Sequence, residues 1–461
     1  MTINPRTIEA YKLLHDGTLA LARAERQGIR VDLDYVNEKK EYLIKKMNRF
    51  EQKFRSSDFH KHWKSSVKSK TPNINSDSQL ANFLYNIKKL TPYKTTKSGQ
   101  GSTDEESLKQ LNIPELNLLL KKKKLKGILD KLEGFEKEAT NGYMHPFFNL
   151  NTVITYRSSS DSPNFQNIHK RDKEANKICR GALFPRPGHQ LFSADFSGIE
   201  VRIAACYHQD SNMINYIKDP TSDMHGDMAK QIFIIDDFNK KIHSQLRQAA
   251  KNGFVFPQFY GDYYKNNAIG ICNDWIKLPQ SRWKKGMGIE LDSHCISDHL
   301  ISKGIASFDK FVNHIKEIEY DFWNNRFFEY QKWKTRWWES YKKYGYIDMK
   351  TGFRCSGGMS RNDCVNYPIQ GTAFHCLLWC FIELDRISMQ ENWDTKLIGQ
   401  IHDDIVMDVN PDELEHVTKT IKRVTCEDLP KHWDWINIPL DIEMELCPID
   451  GSWADKSVYE L

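Results

Sequence analysis

Apolar residues recur at helical spacing near the start of the chain (Ile8, Leu13, Leu14, Leu19, Leu21, Ala22) and predict a helix over 7–27, ended by Gly28. Ile29–Leu33 (IRVDL) predicts a short extended piece, and 35–54 a second helix rich in lysine. The segment 71–76 (TPNINS) is a turn-rich break. A short helix over 77–87 follows, with Ser76 or Asp77 as its cap. Residues 91–102 form a polar, glycine-containing loop. Thr103 with Glu106 three residues on has capping-box spacing, ahead of a helix covering Leu108–Leu132. Beyond Tyr143 the pattern changes, and strands are predicted at 144–150, 190–195, 397–401 and 405–409. A long helical region lies between the second and third strands. Its stretch 310–344 is crowded with aromatics (Phe322, Trp323, Phe327, Phe328, Tyr330, Trp333, Trp337, Trp338), read as core. The layout is a helical module, a strand-containing body split in two, and a helical insertion between its halves.

Composition sets bounds on this picture. The 461 residues, 39% of them hydrophobic, with 12 Trp, 24 Phe and 19 Tyr, can bury a large core. The length suggests about three domains or subdomains. The longest apolar run, Cys376–Ile382, is too short to span a bilayer. Glu9 and Asp16 interrupt the first residues, so no secretory signal is expected there. Ten cysteines without a CxxC pair read as reduced thiols, and a cytoplasmic location is expected.

Charge adds a partner class. The chain carries +5 overall, but residues 36–126 hold 21 Lys+Arg against 9 Asp+Glu, a net +12, leaving −7 for the rest. A basic module on a mildly acidic body points to a polyanion, nucleic acid first. A solvated helical surface would read the same way.

Three constellations carry chemistry. Leu191–Arg202 (LFSADFSGIEVR) runs a strand into Asp195 and starts a helix near Ser197, with Glu200 and Arg202 on it. Lys396–Val409 (KLIGQIHDDIVMDV) is a tight hairpin with His402, Asp403 and Asp404 at its tip. Adjacent like charges each raise the cost of ionising the other, and a divalent cation relieves that cost. In Arg247–Gly261 (RQAAKNGFVFPQFYG), Arg247 and Lys251 share a helix face, as a triphosphate clamp requires. Each alone also fits a surface Asp, an exposed turn or a basic stripe. Together they describe two carboxylates able to hold two Mg²⁺ about 3.5–4 Å apart for phosphoryl transfer.

In this order the three stretches resemble motifs A, B and C of family A DNA polymerases, the DNA polymerase I type of bacteria and phages. Thr155–Ser160 (TYRSSS) with Asp161–Ile168 (DSPNFQNI) resembles a family segment beside the primer-template. Asp223 and His225 (DMH) resemble the start of the fingers, and Asn366–Ala373 (NYPIQGTA) a further helix. Arg23–Asp32 resembles the entry to the polymerase domain, and Thr95–Glu106 a thumb segment.

The resemblance implies an α+β, right-hand polymerase fold: a palm with an antiparallel sheet, and helical fingers and thumb. It implies an N-terminal segment 1–35 packing on the palm, a thumb at 36–140 and palm at 141–205 with motif A. The fingers would be 206–347 with an insertion at about 262–310, and the rest of the palm 348–461 with motif C. Asp195, Asp403 and the carbonyl of Phe196 would hold two Mg²⁺, with Mn²⁺ as a substitute. Lys251 would protonate the departing pyrophosphate. Arg247, Lys251 and His225 would hold the triphosphate, Glu200 would exclude a ribose 2′-OH, and Tyr260 would pack near the templating base. Arg157, Asn164, Asn167, Asn366, Gln370 and His402 would contact the primer-template, and Lys121, Lys122, Lys123 and Lys124 its phosphates. Partners would be primer-template DNA and dNTPs, with a separate exonuclease, clamp or helicase/primase also conceivable, and no membrane.

Some positions depart from the pattern. Gly198 replaces a usual Gln, and motif C ends in Asp404 instead of Glu. Motif B is one residue longer between Lys251 and Tyr260, and Pro257 within it predicts a kink. The aromatic one turn after Lys251 is then ambiguous among Phe254, Val255 and Phe256; Phe256 keeps register with Tyr260. Cys272, His294 and Cys295 in the insertion lack zinc spacing. Few residues precede Arg23, so neither a 3′–5′ exonuclease nor a 5′ nuclease is expected in this chain. That compact form suggests a phage origin, and then a host-cytoplasmic location. The rival functions are a single-subunit RNA polymerase and a non-catalytic primer-template binding protein.

Overall fold

The computed structural model describes residues 2–67, 71–96, 98–168, 172–276, 290–291 and 294–461. Helix α1 (Ile8–Gln27) is capped by Thr7, whose side chain accepts the N–H of Ala10. Helix α2 (Leu33–Ser56) runs antiparallel to α3 (Pro114–Glu138), as the pairs Lys40–Glu136 and Lys122–Glu51 show. Their far end carries its own hydrophobic cluster, with Phe54, Trp63, Phe83 and Leu116 among its members. This cluster is separate from the main core.

The expected helix over 108–132 is two helices. Glu105–Gln110 is capped by Asp104, not Thr103: the Asp104 carboxylate accepts the N–H of Ser107 at 2.8 Å. A carboxylate also suits the positive end of a helix. The chain then turns, and Pro114, which has no N–H to donate, begins α3 in its first turn.

Five strands form the central sheet: β1 (Gln190–Phe196), β2 (Lys396–Ile401), β3 (Asp404–Val409), β4 (Ile442–Leu446) and β5 (Ser457–Tyr459). Their order is β2-β3-β1-β4-β5, and every neighbouring pair is antiparallel. β3 is buried throughout and β1 nearly so, which explains their continuous apolar runs.

Helices α4 (Ile199–His208) and α5 (Ser244–Ala250) follow β1. The aromatic-rich stretch is not one helix either. Phe308–Asp321 passes through a π-turn at Phe322–Arg326 into α6 (Phe328–Tyr344). Helix α7 (Arg361–Gln390) carries a Ser360–Asp363 capping box and crosses the core with most of its residues buried. Helix α1 docks on α7: a Cβ at Gly17 would lie 2.8 Å from Leu378, and Arg23 grips Asp385 in a bidentate pair. Strand Thr2–Pro5 pairs with Phe353–Ser356, tying the N-terminus to the segment before α7. Of the proposed insertion 262–310, residues 277–289 and 292–293 lie outside the described residues, as do Lys68 and Lys70 of the basic module. Among the described residues no helix is long and apolar enough to cross a membrane.

Candidate active site

The site forms where β1 ends. Asp195 and Phe196 are its last residues, and Gly198 then takes a left-handed φ of +62° to start α4. Glycine adopts that conformation freely, which accounts for the departure at this position. The β2–β3 hairpin turns through His402 and Asp403, with His402 at φ +55°, as a tight hairpin turn favours. The turn brings the Asp403 carbonyl to 3.2 Å from the N–H of Phe196. Register pairs Asp195 with Asp404 on one side and with Glu443 on the other. Directly opposed residues share a face, so three acidic positions stand in a row across β3, β1 and β4.

Arg157 meets these acids from an irregular segment. Its guanidinium lies 3.4 Å from Glu200 and 3.7 Å from Asp403. The segment is buttressed from below: the Gln166 amide donates to Ser158 at 2.7 Å and to the Gln400 side chain at 3.0 Å. Gln400 in turn donates to the His402 carbonyl at the hairpin tip. Burial, with Glu200 and Asp195 adding, pushes the Asp403 carboxyl up to about 6, against the pull of Arg157.

The extra residue of motif B is absorbed by a π-turn. Ser244–Ala250 is α-helical, Lys251–Val255 forms a π-turn, and Phe256–Phe259 is α-helical again. A π-turn accommodates one added residue within a helix. Pro257 falls in the first turn of the last piece, where a missing N–H costs little. Phe254 and Val255 are buried, whereas Phe256 reaches the cavity described below. Lys251 Nζ lies 5.1 Å from the Phe256 ring centroid, and His225 stands edge-on to the same ring. Burial, then Lys251 and Arg247, push His225 down to about 4, so it is neutral near pH 7. Arg247 is held by Asp223 through Nε at 2.9 Å and Nη2 at 2.9 Å.

A cavity of about 380 Å³ joins these pieces. Arg157, Gly198, Glu200, His402 and Asp403 line it from the sheet side, Phe256, Tyr260 and Tyr330 from the helical insertion, and Asn366 and Gln370 from α7. The Tyr260 hydroxyl donates to Glu200, and the Asn366 amide donates to the Tyr260 carbonyl at 3.0 Å. Gly261, at φ +86°, passes so close to α7 that a Cβ would lie 2.5 Å from Asn362. Lys251 and His225 pack on Phe256, with Arg247 beside His225, and Asp195 is at the end of β1 next to Phe196.

Other expected residues lie away from the cavity. Asn164 turns inward to accept the N–H of Asn167 at 2.9 Å. Lys122 is 13% exposed and bonded to Glu51 at 2.7 Å and Asn75 at 3.0 Å, so its charge is paired inside the module. Lys123 pairs with Asp77 at 3.1 Å and Lys124 with Asp172, while Lys121 is exposed. Asp223 and Tyr330 gained no role from sequence. Asp223 had its motif position as a signal, whereas Tyr330 looked like every other core aromatic around it.

Phe196, Asp195, Glu200 and Asp403 supply the oxygens a divalent cation prefers. Among the described residues no group of three or more His, Cys, Asp or Glu is already assembled for a metal.

A family model described as DNA polymerase family A matches residues 40–269 and 300–454. The chain is 30% identical over 406 residues to DNA polymerase I of Aquifex aeolicus (strain VF5), covering 87% of this chain and 61% of that protein. It is 26% identical over 442 residues to the thermostable DNA polymerase I of Thermus filiformis, covering 92% and 46%. The chain thus spans less than two thirds of the length of these relatives. Its fold matches the POL domain of Pol1 from M. smegmatis, solved in complex with DNA primer-template and dNTP, with a TM-score of 0.72 at 21% identity over 96% of this chain and 70% of that one. The fold is the right-hand polymerase fold, α+β. Motifs scattered over more than 200 residues meet at one sheet end inside the matched regions, and the chain belongs to DNA polymerase family A.

Proposed function

We propose that this chain is a template-directed DNA polymerase that extends a primer 3′-OH with dNTPs and releases pyrophosphate. The observation that carries the reading is the single cavity in which residues of motifs A, B and C, the 155–168 segment and the 366–373 helix meet. The M. smegmatis neighbour, solved with primer-template and dNTP, supports the same ligand classes here.

The residues present fit divalent metal ions. Burial, with Glu200 and Asp195 adding, raises the Asp403 carboxyl, and a cation would offset the cost of ionising it there. Asp195, Asp403 and the Phe196 carbonyl would hold two Mg²⁺. Such ions activate the attacking oxygen and stabilise the leaving one.

The chain's own groups have distinct tasks. Arg247, oriented by Asp223, and Lys251 bind the triphosphate tail. In the transfer, the primer oxygen bonds to the α-phosphorus and the bond to the bridging pyrophosphate oxygen breaks. Lys251 gives a proton to the departing pyrophosphate. Phe256 packs the nucleotide against Tyr260, and Glu200, fixed by Tyr260 and Arg157, occupies the space a 2′-OH would need. Asn366, Gln370 and His402 face the base pair from α7 and the hairpin, where minor-groove acceptors test pairing without reading sequence.

A primed template offered dNTPs or rNTPs with Mg²⁺ tests the proposal. Efficient dNMP addition with poor rNMP addition supports it. An rNTP preference would make the chain an RNA polymerase, and tight binding without product a silent binding protein.

A further inference from the structure

The thumb-tip cluster is separate from the main core, yet the tip touches the fingers. The Asn273 side-chain amide donates to the Tyr93 hydroxyl at 2.7 Å and to a Glu106 carboxylate oxygen at 3.3 Å. These partners lie 180 and 167 residues apart in sequence. Asn273 belongs to the fingers segment beyond Gly261, where the chain runs longer than its resemblance requires.

We propose that Asn273, Tyr93 and Glu106 form an openable latch that closes the nucleic-acid cleft between thumb and fingers. The inference rests on the polymerase reading for the cleft's occupant. Three observations carry it.

The tip is built to present these groups. Tyr93 and Glu106 flank a loop closed by a Thr95–Gly101 bridge and by the Thr96 N–H donating to the Gln100 carbonyl at 2.7 Å. Lys94 holds the Glu106 carboxylate beside Tyr93. Gly101 leaves no room for a side chain, since a Cβ would lie 2.2 Å from the Tyr85 ring.

The thumb is also tied to the body midway along its two long helices. Lys46 pairs with Glu174 and Lys124 with Asp172, at the start of the helix Lys173–Arg180. Palm, thumb and fingers therefore make a continuous ring once the tip meets Asn273.

The contact is also suited to opening. Among the described residues it is polar, it centres on the Asn273 amide, and the two hydrophobic clusters do not merge across it. Net gains from such hydrogen bonds are modest because water replaces them. A ring closed this way admits a duplex and then hinders its sideways escape.

The test uses the full chain with Tyr93→Cys and Asn273→Cys joined by a short bis-maleimide, on primed circular single-stranded DNA. Of the native cysteines, all but Cys295 and Cys426 are buried, and each single variant serves as control. Cross-linking after loading is expected to hold the circle through a high-salt wash and to release it once the circle is cut. Cross-linking before loading is expected to block binding. Asn273→Ala is expected to speed DNA dissociation by roughly tenfold, the equivalent of about 1.4 kcal/mol, with single-nucleotide addition unchanged. Failure to cross-link without DNA, binding unaffected by prior cross-linking, or loss of the circle at the uncross-linked rate would each overturn the latch. A chain that traps circles yet never extends a primer would overturn the polymerase reading alone.

Discussion

The N–H of Phe196 donates to the carbonyl of Asp403 at 3.2 Å. One hydrogen bond thus joins two strand ends 207 positions apart and fixes how far the motif C turn stands from the motif A acid. Because β1 and β3 are also in antiparallel register, with Asp404 opposite Asp195, a slip of either strand would carry one acid away from the other. The acid pair thus joins a strand end, Asp195, to a tight turn, Asp403, that the sheet holds in place.

Asp223 fixes the orientation of the Arg247 guanidinium, the group proposed to hold the triphosphate. Arg247 helps to hold the Asp223 carboxyl below its ordinary value, so the pair is ionised across the working pH range. Asp223→Asn is expected to raise the KM for dNTP by about tenfold with a smaller change in kcat, since it loosens a binding group and leaves the acids intact. Steady-state kinetics check this; an unchanged KM removes Asp223 from the clamp.

Glu200 is fastened by Tyr260 and Arg157 at the cavity wall. Glu200→Ala is expected to improve rNMP addition relative to dNMP addition by at least about tenfold, because a group that fills space is removed. Tyr260→Phe is expected to move the ratio in the same direction by less. Competition between dNTP and rNTP on one template measures both.

Two buried histidines give the fold an acid limit. His208 stacks on Tyr330 at 4.1 Å, and His375 stacks on Phe353 at 4.2 Å. Burial pushes each down to about 3, against roughly 6.5 in an unfolded chain. Below about pH 6.5 the unfolded state binds protons that the folded state refuses. Their contribution is therefore complete above that pH and is lost as pH falls toward 3, by up to about 1.4 kcal/mol per pH unit for each histidine. Urea titrations at pH 7.5 and 5 are expected to show lower stability at pH 5, and His208→Gln a shallower dependence.

The ion pairs of the basic module, the proposed thumb, change what its charge can do. Among the described residues, Arg49 and Lys53 are exposed on one face of α2 without an ion-pair partner, whereas Lys122 is enclosed with Glu51. Arg49→Ala with Lys53→Ala is expected to flatten the slope of log K for duplex DNA against log salt by about 1–2, as about 0.9 per lost phosphate contact implies. Lys122→Ala is expected to leave that slope alone and to destabilise the thumb instead. DNA titrations at several salt concentrations, with thermal melts, separate the two.

The parts readable from sequence were those set by neighbours in the chain. Strand-then-acid at Asp195, the short hairpin around His402–Asp403 and the Arg247–Lys251 spacing are local patterns, and each element formed where its pattern placed it. The rest depends on contacts between distant segments. Nothing local says that Asp195 lies opposite both Asp404 and Glu443. Nothing local says that Tyr330, one aromatic among many, lines the cavity while Trp333 packs in the core. The added motif B residue was visible, but a π-turn and a kink are equally consistent with Pro257 until its neighbours are in place. Lys122 sat in a run of four lysines that differ only in what each faces, and that is decided by the pairing of α2 with α3.

The central claim is that Asp195 and Asp403 form the reacting centre of a DNA polymerase. Single-nucleotide extension of a primed template with dNTPs and Mg²⁺, comparing the unaltered chain with Asp195→Ala and Asp403→Ala, tests it most directly. The unaltered chain is expected to extend the primer and both variants to lose extension by at least about a thousandfold, with DNA affinity largely kept. Extension by either variant at close to the unaltered rate would contradict it.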